Sequence, residues 1–270
     1  MAVISLLTDF GTDDEYVGLV KAVIYGIAPE AAVVDLCHRI DPHDIAAAAV
    51  LLDHAWRYFP EGSVHLAVVD PGVGSRRKIL AVRRSGQIFV APDNGLLTPI
   101  FAGDEAVQIV EVKNRSLFRS EVSRTFHGRD IFAPVGAHLL KKVPFETLGP
   151  PAAAEDLCRV ELPEPVLTAD GALTGTVVWI DRFGNLITDI AGAHLARLDP
   201  CGRRRDLVIE AGGRRLAGTV GSYAAAAPGE ALAIFGSRGT LEIAVNQGSA
   251  AETLGCGRGD PVRVLSADSG

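Results

Sequence analysis

Val3-Ile4-Ser5-Leu6-Leu7-Thr8-Asp9-Phe10-Gly11-Thr12-Asp13 decides the fold. Val3–Leu7 is an apolar run of the kind buried on both faces of a parallel sheet. It gives way at Thr8 to a polar turn that ends at Asp13. Beyond it Val17, Val20, Ile24 and Ile27 recur at the spacing of one helix face, with Pro29 just past the end. Ala32–Asp35 then reads as a second strand, Asp44–Tyr58 as a second helix rich in Ala and Leu, and Val64–Val69 as a third strand, stopped by Asp70-Pro71-Gly72. Ile79–Arg83 and Ile88–Ala91 read as a hairpin around Ser85-Gly86, and Val107–Val110 as a further short strand. Asp130 is placed to cap a helix running to about Leu140. The β-α-β-α-β order predicts an α/β sandwich domain over residues 1–155, its sheet mostly parallel and its helices packed on the faces.

The texture changes near Pro150. Pro150-Pro151-Ala152-Ala153-Ala154 and Leu162-Pro163-Glu164-Pro165 form a proline-rich connector, of which residues 156–165 are the linker. Short β-branched stretches separated by glycine follow: Gly175–Ile180, Leu186–Ile190, Leu207–Ile209, Ala231–Ile234, Leu241–Val245 and Val262–Leu265. Such a pattern predicts a smaller antiparallel β-barrel domain over residues 166–270.

Bulk properties narrow the function. A chain of 270 residues suits two domains, and 48% hydrophobic with 22% charged residues suits a globular protein with a large core. The net charge is −7, and the densest basic cluster is only Arg203-Arg204-Arg205. That balance gives no footprint for nucleic acid or an anionic membrane, whereas a small cationic substrate suits it. Ala2–Leu7 is too short for a signal sequence, and Ile45–Leu52 ends at Asp53-His54, too short to span a bilayer. Cys37, Cys158, Cys201 and Cys256 are scattered with no CxxC pair, which reads as reduced thiols in a cytoplasmic protein, with Cys37 a buried small hydrophobe.

Ligands of open α/β sheets sit beyond the carboxyl ends of the strands. Asp9 follows the first strand there and suits a ribose diol, while Thr12, Asp13 or Asp14 suit the N-terminus of the next helix. Asp70-Pro71-Gly72-Val73-Gly74-Ser75-Arg76-Arg77 follows the third strand, and its glycines allow close backbone approach to a ligand. No Gly-Lys-Ser/Thr follows, so it is not a Walker loop. Phe126-His127-Gly128-Arg129-Asp130 sets one of seven histidines in a charged loop; His38, His43, His54, His65, His138 and His194 have no such company and read as structural. Asp181-Arg182-Phe183-Gly184-Asn185 is either a hairpin turn with Phe183 in the core or a site where Phe stacks on a base and Asn reads its edge. Gly236-Ser237-Arg238-Gly239 is either a turn or a carboxylate grip.

In order along the chain, Leu7-Thr8-Asp9-Phe10-Gly11-Thr12, Val69-Asp70-Pro71-Gly72-Val73-Gly74, Ala91-Pro92-Asp93-Asn94-Gly95-Leu96-Leu97, Phe126-His127-Gly128-Arg129-Asp130, Phe183-Gly184-Asn185 and Ser237-Arg238-Gly239 resemble the adenosine-forming S-adenosylmethionine hydrolase family. That family is related to the fluorinating and chlorinating enzymes that use the same substrate. The resemblance implies an N-terminal α/β domain, a C-terminal β-barrel, and a homotrimer with sites between neighbouring subunits. It implies a catalytic trio of Asp70, Arg77 (or Arg76) and His127 around the attacking water. It also implies ribose on Asp9, adenine on Phe183 and Asn185 with Asn246 a weaker candidate, and the methionine end on Asp181, Ser237 and Arg238. No metal or other cofactor is implied.

Halide-using relatives line the nucleophile pocket with neutral groups, and where they carry a tyrosine this chain has Asp70. A carboxylate 4 Å from a halide repels it by about 4 kcal/mol at an effective dielectric near 20. Those relatives also carry an extra segment ahead of the Asn-Gly motif, for which Arg83 to Ile88 leaves no room. Water is therefore the expected nucleophile. The competing readings are a nucleophile-switched halogenating relative, a binder of adenosine-like ligands without turnover, and a metal-dependent hydrolase built on Asp9, Asp13, Asp14 and a histidine.

Overall fold

The computed structural model describes residues 2–102, 106–196, 198 and 207–266; Cys201 and the Arg203-Arg204-Arg205 cluster lie outside them. The chain forms two compact units, Met1–Glu161 and Leu162–Gly270.

In the first unit the strands are β1 (Val3–Thr8), β2 (Ala32–Cys37), β3 (Val64–Val68), β4 (Ile79–Arg84), β5 (Gln87–Pro92) and β6 (Gln108–Glu111), and the α-helices are α1 (Tyr16–Ile27), α2 (Ile45–Ala55) and α3 (Ala133–Leu140). The sheet runs β2-β1-β3-β5-β4-β6. β2, β1, β3 and β5 pair in parallel, while β4 is antiparallel to both of its neighbours. β1 is apolar because it is paired on both edges and covered on both faces. Ile4 and Leu6 share one core with Val20 and Ile24 of α1 and Val135 of α3. Successive strand residues face opposite ways. The other face carries Ser5, His65 and Phe89, and Trp56, directly after α2, meets Phe89 edge-on at 5.7 Å. Because the central strands are parallel, β1, β3 and β5 deliver Asp9, Asp70 and Asp93-Asn94 to one edge of the sheet.

The helix ends differ in part from the sequence expectation. Thr12, Asp13 and Asp14 do not cap α1; its N-cap is Glu15, with no side-chain capping bond, and the three residues are exposed. Asp44 does cap α2, accepting from the Ala47 amide at 2.8 Å, and that helix stops at Ala55 with a tighter turn over Trp56–Tyr58. Asp130 caps nothing: it lies inside a π-helical turn, Gly128–Phe132, with its carboxylate turned to the Ser123 amide and to Arg129. Cys37 is half-buried, not buried; Cys158 is exposed and Cys256 buried, and all three are free thiols. The segment 151–160 belongs to the first unit, where Asp93 accepts from the Cys158 amide at 2.9 Å and Thr98 from the Val160 amide at 3.0 Å.

The second unit is built from β7 (Val166–Leu167), β8 (Leu173–Ile180), β9 (Leu186–Ala191), β10 (Leu207–Ala211), β11 (Arg214–Ala217), β12 (Ala231–Phe235), β13 (Thr240–Val245) and β14 (Pro261–Ser266), with short helices α4 (Gly192–Leu195) and α5 (Ala250–Leu254). β7, β11, α4 and α5 are too short to give a periodic signal. The strands pair antiparallel in the order β11-β10-β14-β8-β9-β13-β12, with β7 on β8. Past β11, Val220 bridges to Ile234 of β12 and draws the two ends of the sheet together into a nearly closed barrel. Alternating burial along β10 turns Leu207, Ile209 and Ala211 into the barrel core beside Leu173, Val177, Leu241 and Val262.

Candidate active site

The carboxyl edge of the first sheet assembles one polar cluster. The Asn94 amide donates to the Val69 carbonyl at 2.8 Å and fixes the chain one residue ahead of Asp70. The chain then doubles back, the Val73 amide donating to the Asp70 carbonyl at 3.1 Å and the Ser75 amide to the Gly72 carbonyl at 3.1 Å. Gly74 must be glycine twice over: its φ is 78°, and a Cβ would collide with the carbonyl oxygen of Arg124. That close approach seats the Asp70 turn on the loop leading to His127.

Arg77 closes the cluster. Its Nε donates to Asp70 Oδ1 at 2.6 Å, its Nη2 to Asp70 Oδ2, and the same Nη2 to His127 Nδ1 at 3.0 Å. Only 9% of the Arg77 side chain and 5% of the Asp70 side chain are exposed. Arg76 is exposed, so Arg77 is the arginine the fold brings to Asp70. A forked guanidinium–carboxylate pair is the strong form of ion pair, and burial makes its breakage costly.

Aromatic packing positions His127. Phe126 meets Phe10 at 5.9 Å and Tyr16 at 5.2 Å, both edge-on, and Gly128 lies against the Phe10 ring. A guanidinium only donates, so His127 Nδ1 is the acceptor and the ring proton sits on Nε2. Burial first, then the positive charge of Arg77, hold the His127 pKa below the ordinary histidine value. His127 also lines a cavity of about 480 Å³ together with Arg115, Arg119 and Ser120.

Asp9 stands at the same edge. Its Oδ2 accepts from the amide of His43 at 3.0 Å, and the His43 backbone is left-handed (φ 70°). Two other histidines are structural. His38 Nδ1 bonds Thr8 Oγ1 at 2.8 Å, while His65 is saturated by Ser5 and Gln87 at 2.7 Å each, and burial takes its pKa down to about 4.

In the second unit the Asp181–Asn185 turn joins β8 to β9. The Asp181 carboxylate accepts from the Phe183 amide (2.8 Å), the Asn185 amide (3.0 Å) and the Asn185 side chain (2.9 Å). Gly184 has φ 80° and packs against Ser249. Phe183 is 75% exposed, which excludes its reading as a core residue. Asp181, Phe183 and Asn185 line a cavity of about 550 Å³ with Tyr223, Val245 and Gln247. Arg238 lies over the Trp179 ring at 5.9 Å, and Ser237 beside it is exposed. Asn246 does not line the cavity; its amide donates to the Ala226 carbonyl at 2.7 Å and holds that loop. Tyr223 and Gln247 had no place in the sequence reading, His43 was read as structural, and Asn94 was named only within its motif. Only Asn94, inside the Asn94-Gly95 motif, carried a signal. Among the described residues no group of three or more His, Cys, Asp or Glu side chains is gathered as metal ligands would be.

Comparison with known proteins agrees with this layout. The family model "SAM hydroxide adenosyltransferase N-terminal domain" matches residues 4–149, and "SAM hydroxide adenosyltransferase C-terminal domain" matches residues 175–263. A (R)-S-adenosyl-L-methionine hydrolase of Thermus thermophilus is 42% identical over 98% of this chain and 100% of its own length. A fluorinase of Nocardia brasiliensis is more distant, 29% identical over 73% of each chain. The crystal structure of an uncharacterized conserved protein from Thermotoga maritima superposes with a TM-score of 0.89 at 37% identity, covering 97% of this chain and 100% of that one. With both family domains present in order and a relative of this identity along nearly its whole length, the chain belongs to the SAM hydroxide adenosyltransferase family.

Proposed function

We propose that this protein hydrolyses S-adenosyl-L-methionine to adenosine and L-methionine by attack of water on ribose C5′. The observation that carries the reading is the Arg77 fork joining Asp70 and His127 at the carboxyl edge of the first sheet. Family membership and the hydrolase name of the Thermus relative support it, and that name points to the (R) epimer at sulfur.

The sulfonium makes methionine a neutral thioether leaving group, so no acid is needed to expel it. The oxygen–C5′ bond forms as the C5′–sulfur bond breaks, and the electron pair stays on sulfur. Asp70 takes the proton of the water: its oxygens keep lone pairs beyond those used by Arg77, whereas His127 Nδ1 is already occupied. His127, held by Arg77, fixes the water's second hydrogen bond, Arg77 balances the carboxylate, and the proton leaves Asp70 for solvent. The reaction so written uses no metal or cofactor.

Asp9 holds the ribose diol. Phe183 stacks on adenine, and Asn185, its NH2 group committed to Asp181, presents its carbonyl oxygen to the exocyclic amine. Asp181, Ser237 and Arg238 take the amino-acid end, and Asn246 serves through the loop it holds. The working form is a cytoplasmic homotrimer with sites between subunits; exposed Leu19 and Tyr25 on α1 offer apolar surface for subunit contact.

Incubation with each sulfur epimer in 18O-labelled water, with and without chelator and with chloride, tests the reading. Labelled adenosine is expected from the (R) epimer in every condition. Unlabelled adenosine, or a 5′-chlorinated nucleoside, would overturn hydrolysis, and activity lost to the chelator would overturn the metal-free mechanism.

A further inference from the structure

Glu242 is a buried carboxylate that neither the motifs nor the proposed substrate contacts use. β13 turns Leu241, Ile243 and Val245 into the barrel core, and Glu242, between them, is only 7% exposed. A charge so placed is costly unless partnered. Tyr223 supplies one partner, its hydroxyl donating to Glu242 Oε1 at 2.6 Å.

The other oxygen lies under the turn that joins β12 to β13. A Cβ on Gly236 would collide with Glu242 Oε2, so the carboxylate occupies the space a side chain would need. That turn is closed by the Gly239 amide on the Gly236 carbonyl (2.9 Å) and the Gly236 amide on the Thr240 carbonyl (3.1 Å), and it carries Ser237 and Arg238. Arg238 has the Trp179 ring on one side and feels the charge of Glu242. Burial pushes the Glu242 carboxyl up from its ordinary value, and the bond to Glu242 first, then burial, push the Tyr223 hydroxyl up to about 12.

We propose that Glu242 is a positioning residue, anchored by Tyr223, that holds the Gly236–Gly239 turn so that Arg238 meets the substrate's carboxylate in one orientation. This rests on the reading that Ser237 and Arg238 grip the amino-acid end of the substrate. An arginine side chain has many rotamers, and a grip on a carboxylate needs one of them. A π-face and the carboxylate seated under the turn restrict the guanidinium before the ligand arrives. Glu242 would therefore govern affinity for the amino-acid end more than for the adenosine end.

The test compares two ligands on the full chain: adenosine, and the neutral thioether analogue of the substrate, which keeps the amino-acid end. Glu242→Gln should weaken the analogue about tenfold, a modest loss of orientation, and change adenosine affinity less than twofold. KM for the sulfonium substrate should rise more than kcat falls. Gly236→Ala should also weaken the analogue, but much less in a Glu242→Ala background, where nothing remains to collide with; that non-additivity reads the contact itself. Equal weakening of both ligands, weakening of neither, or additive Gly236 and Glu242 effects would overturn the proposal. Wild-type protein that binds neither ligand would instead overturn the functional reading, and this proposal with it.

Discussion

Asp70 and Asp181 each stand at the end of a strand, and both carboxylates are hydrogen-bonded through both oxygens, yet their partners differ in kind. Asp181 takes only neutral donors, all within four residues: two backbone amides and one side-chain amide. Asp70 takes a guanidinium seven residues on, and that guanidinium reaches a histidine fifty residues further. A carboxylate that accepts from its own turn fixes a backbone shape. One paired with a buried arginine sets the charge state of its surroundings and keeps a histidine in one tautomer. The first unit thus holds a buried charge network, and the second a hydrogen-bonded turn on which Phe183 is displayed.

Replacing the two carboxylates should therefore break different quantities. Asp70→Asn should slow turnover at saturating substrate by about 100-fold or more, the scale of a general acid–base group, with adenosine affinity retained. Asp181→Ala should instead weaken adenosine binding and slow saturated turnover far less. Steady-state kinetics beside equilibrium binding, on variants whose thermal unfolding shows a folded state, separates the two. Equal turnover losses would erase the distinction.

The acid limb of the pH profile sharpens the first half of the comparison. His127 has a depressed pKa, so in the folded protein it is neutral above that value and gains its proton only once the pH has fallen below 6.5. Protonated Nδ1 cannot accept from Arg77, so the trio comes apart as the pH falls, not as it rises. kcat/KM should be flat between pH 7 and 8 and drop about tenfold per unit below the depressed pKa. A midpoint at or above 7 would mean that Arg77 does not hold the neutral ring.

The smallest effect tests whether the two regions work in pairs drawn from different subunits. Asp70→Ala and Asn185→Ala proteins, assayed at a substrate concentration low enough for each alone to be nearly inactive, are unfolded, mixed equally and refolded. If sites are shared between neighbours, one half times one half, about a quarter of sites, should be whole. A mixture no more active than its parents, with a trimer confirmed by light scattering, would exclude sharing between subunits.

What the sequence settled by itself was whatever depends on near neighbours or on the match of several motifs at once. The apolar run Val3–Leu7 followed by a helical period specified a central parallel strand, because only pairing on both edges and cover on both faces make such a run stable. Six motifs in order specified the family, and with it the candidate residues, though not whether Arg76 or Arg77 joins Asp70. That choice waited on tertiary structure, since it turns on which side chain the Gly72–Gly74 bend aims back into the sheet edge. The sense of the Asp130 carboxylate, the burial of Glu242 beneath Gly236 and the proton on His127 Nε2 were decided in the same way. Each depends on a partner brought close by folding, and the strength of an ion pair or hydrogen bond follows from distance and solvent exclusion, which spacing along a chain does not encode.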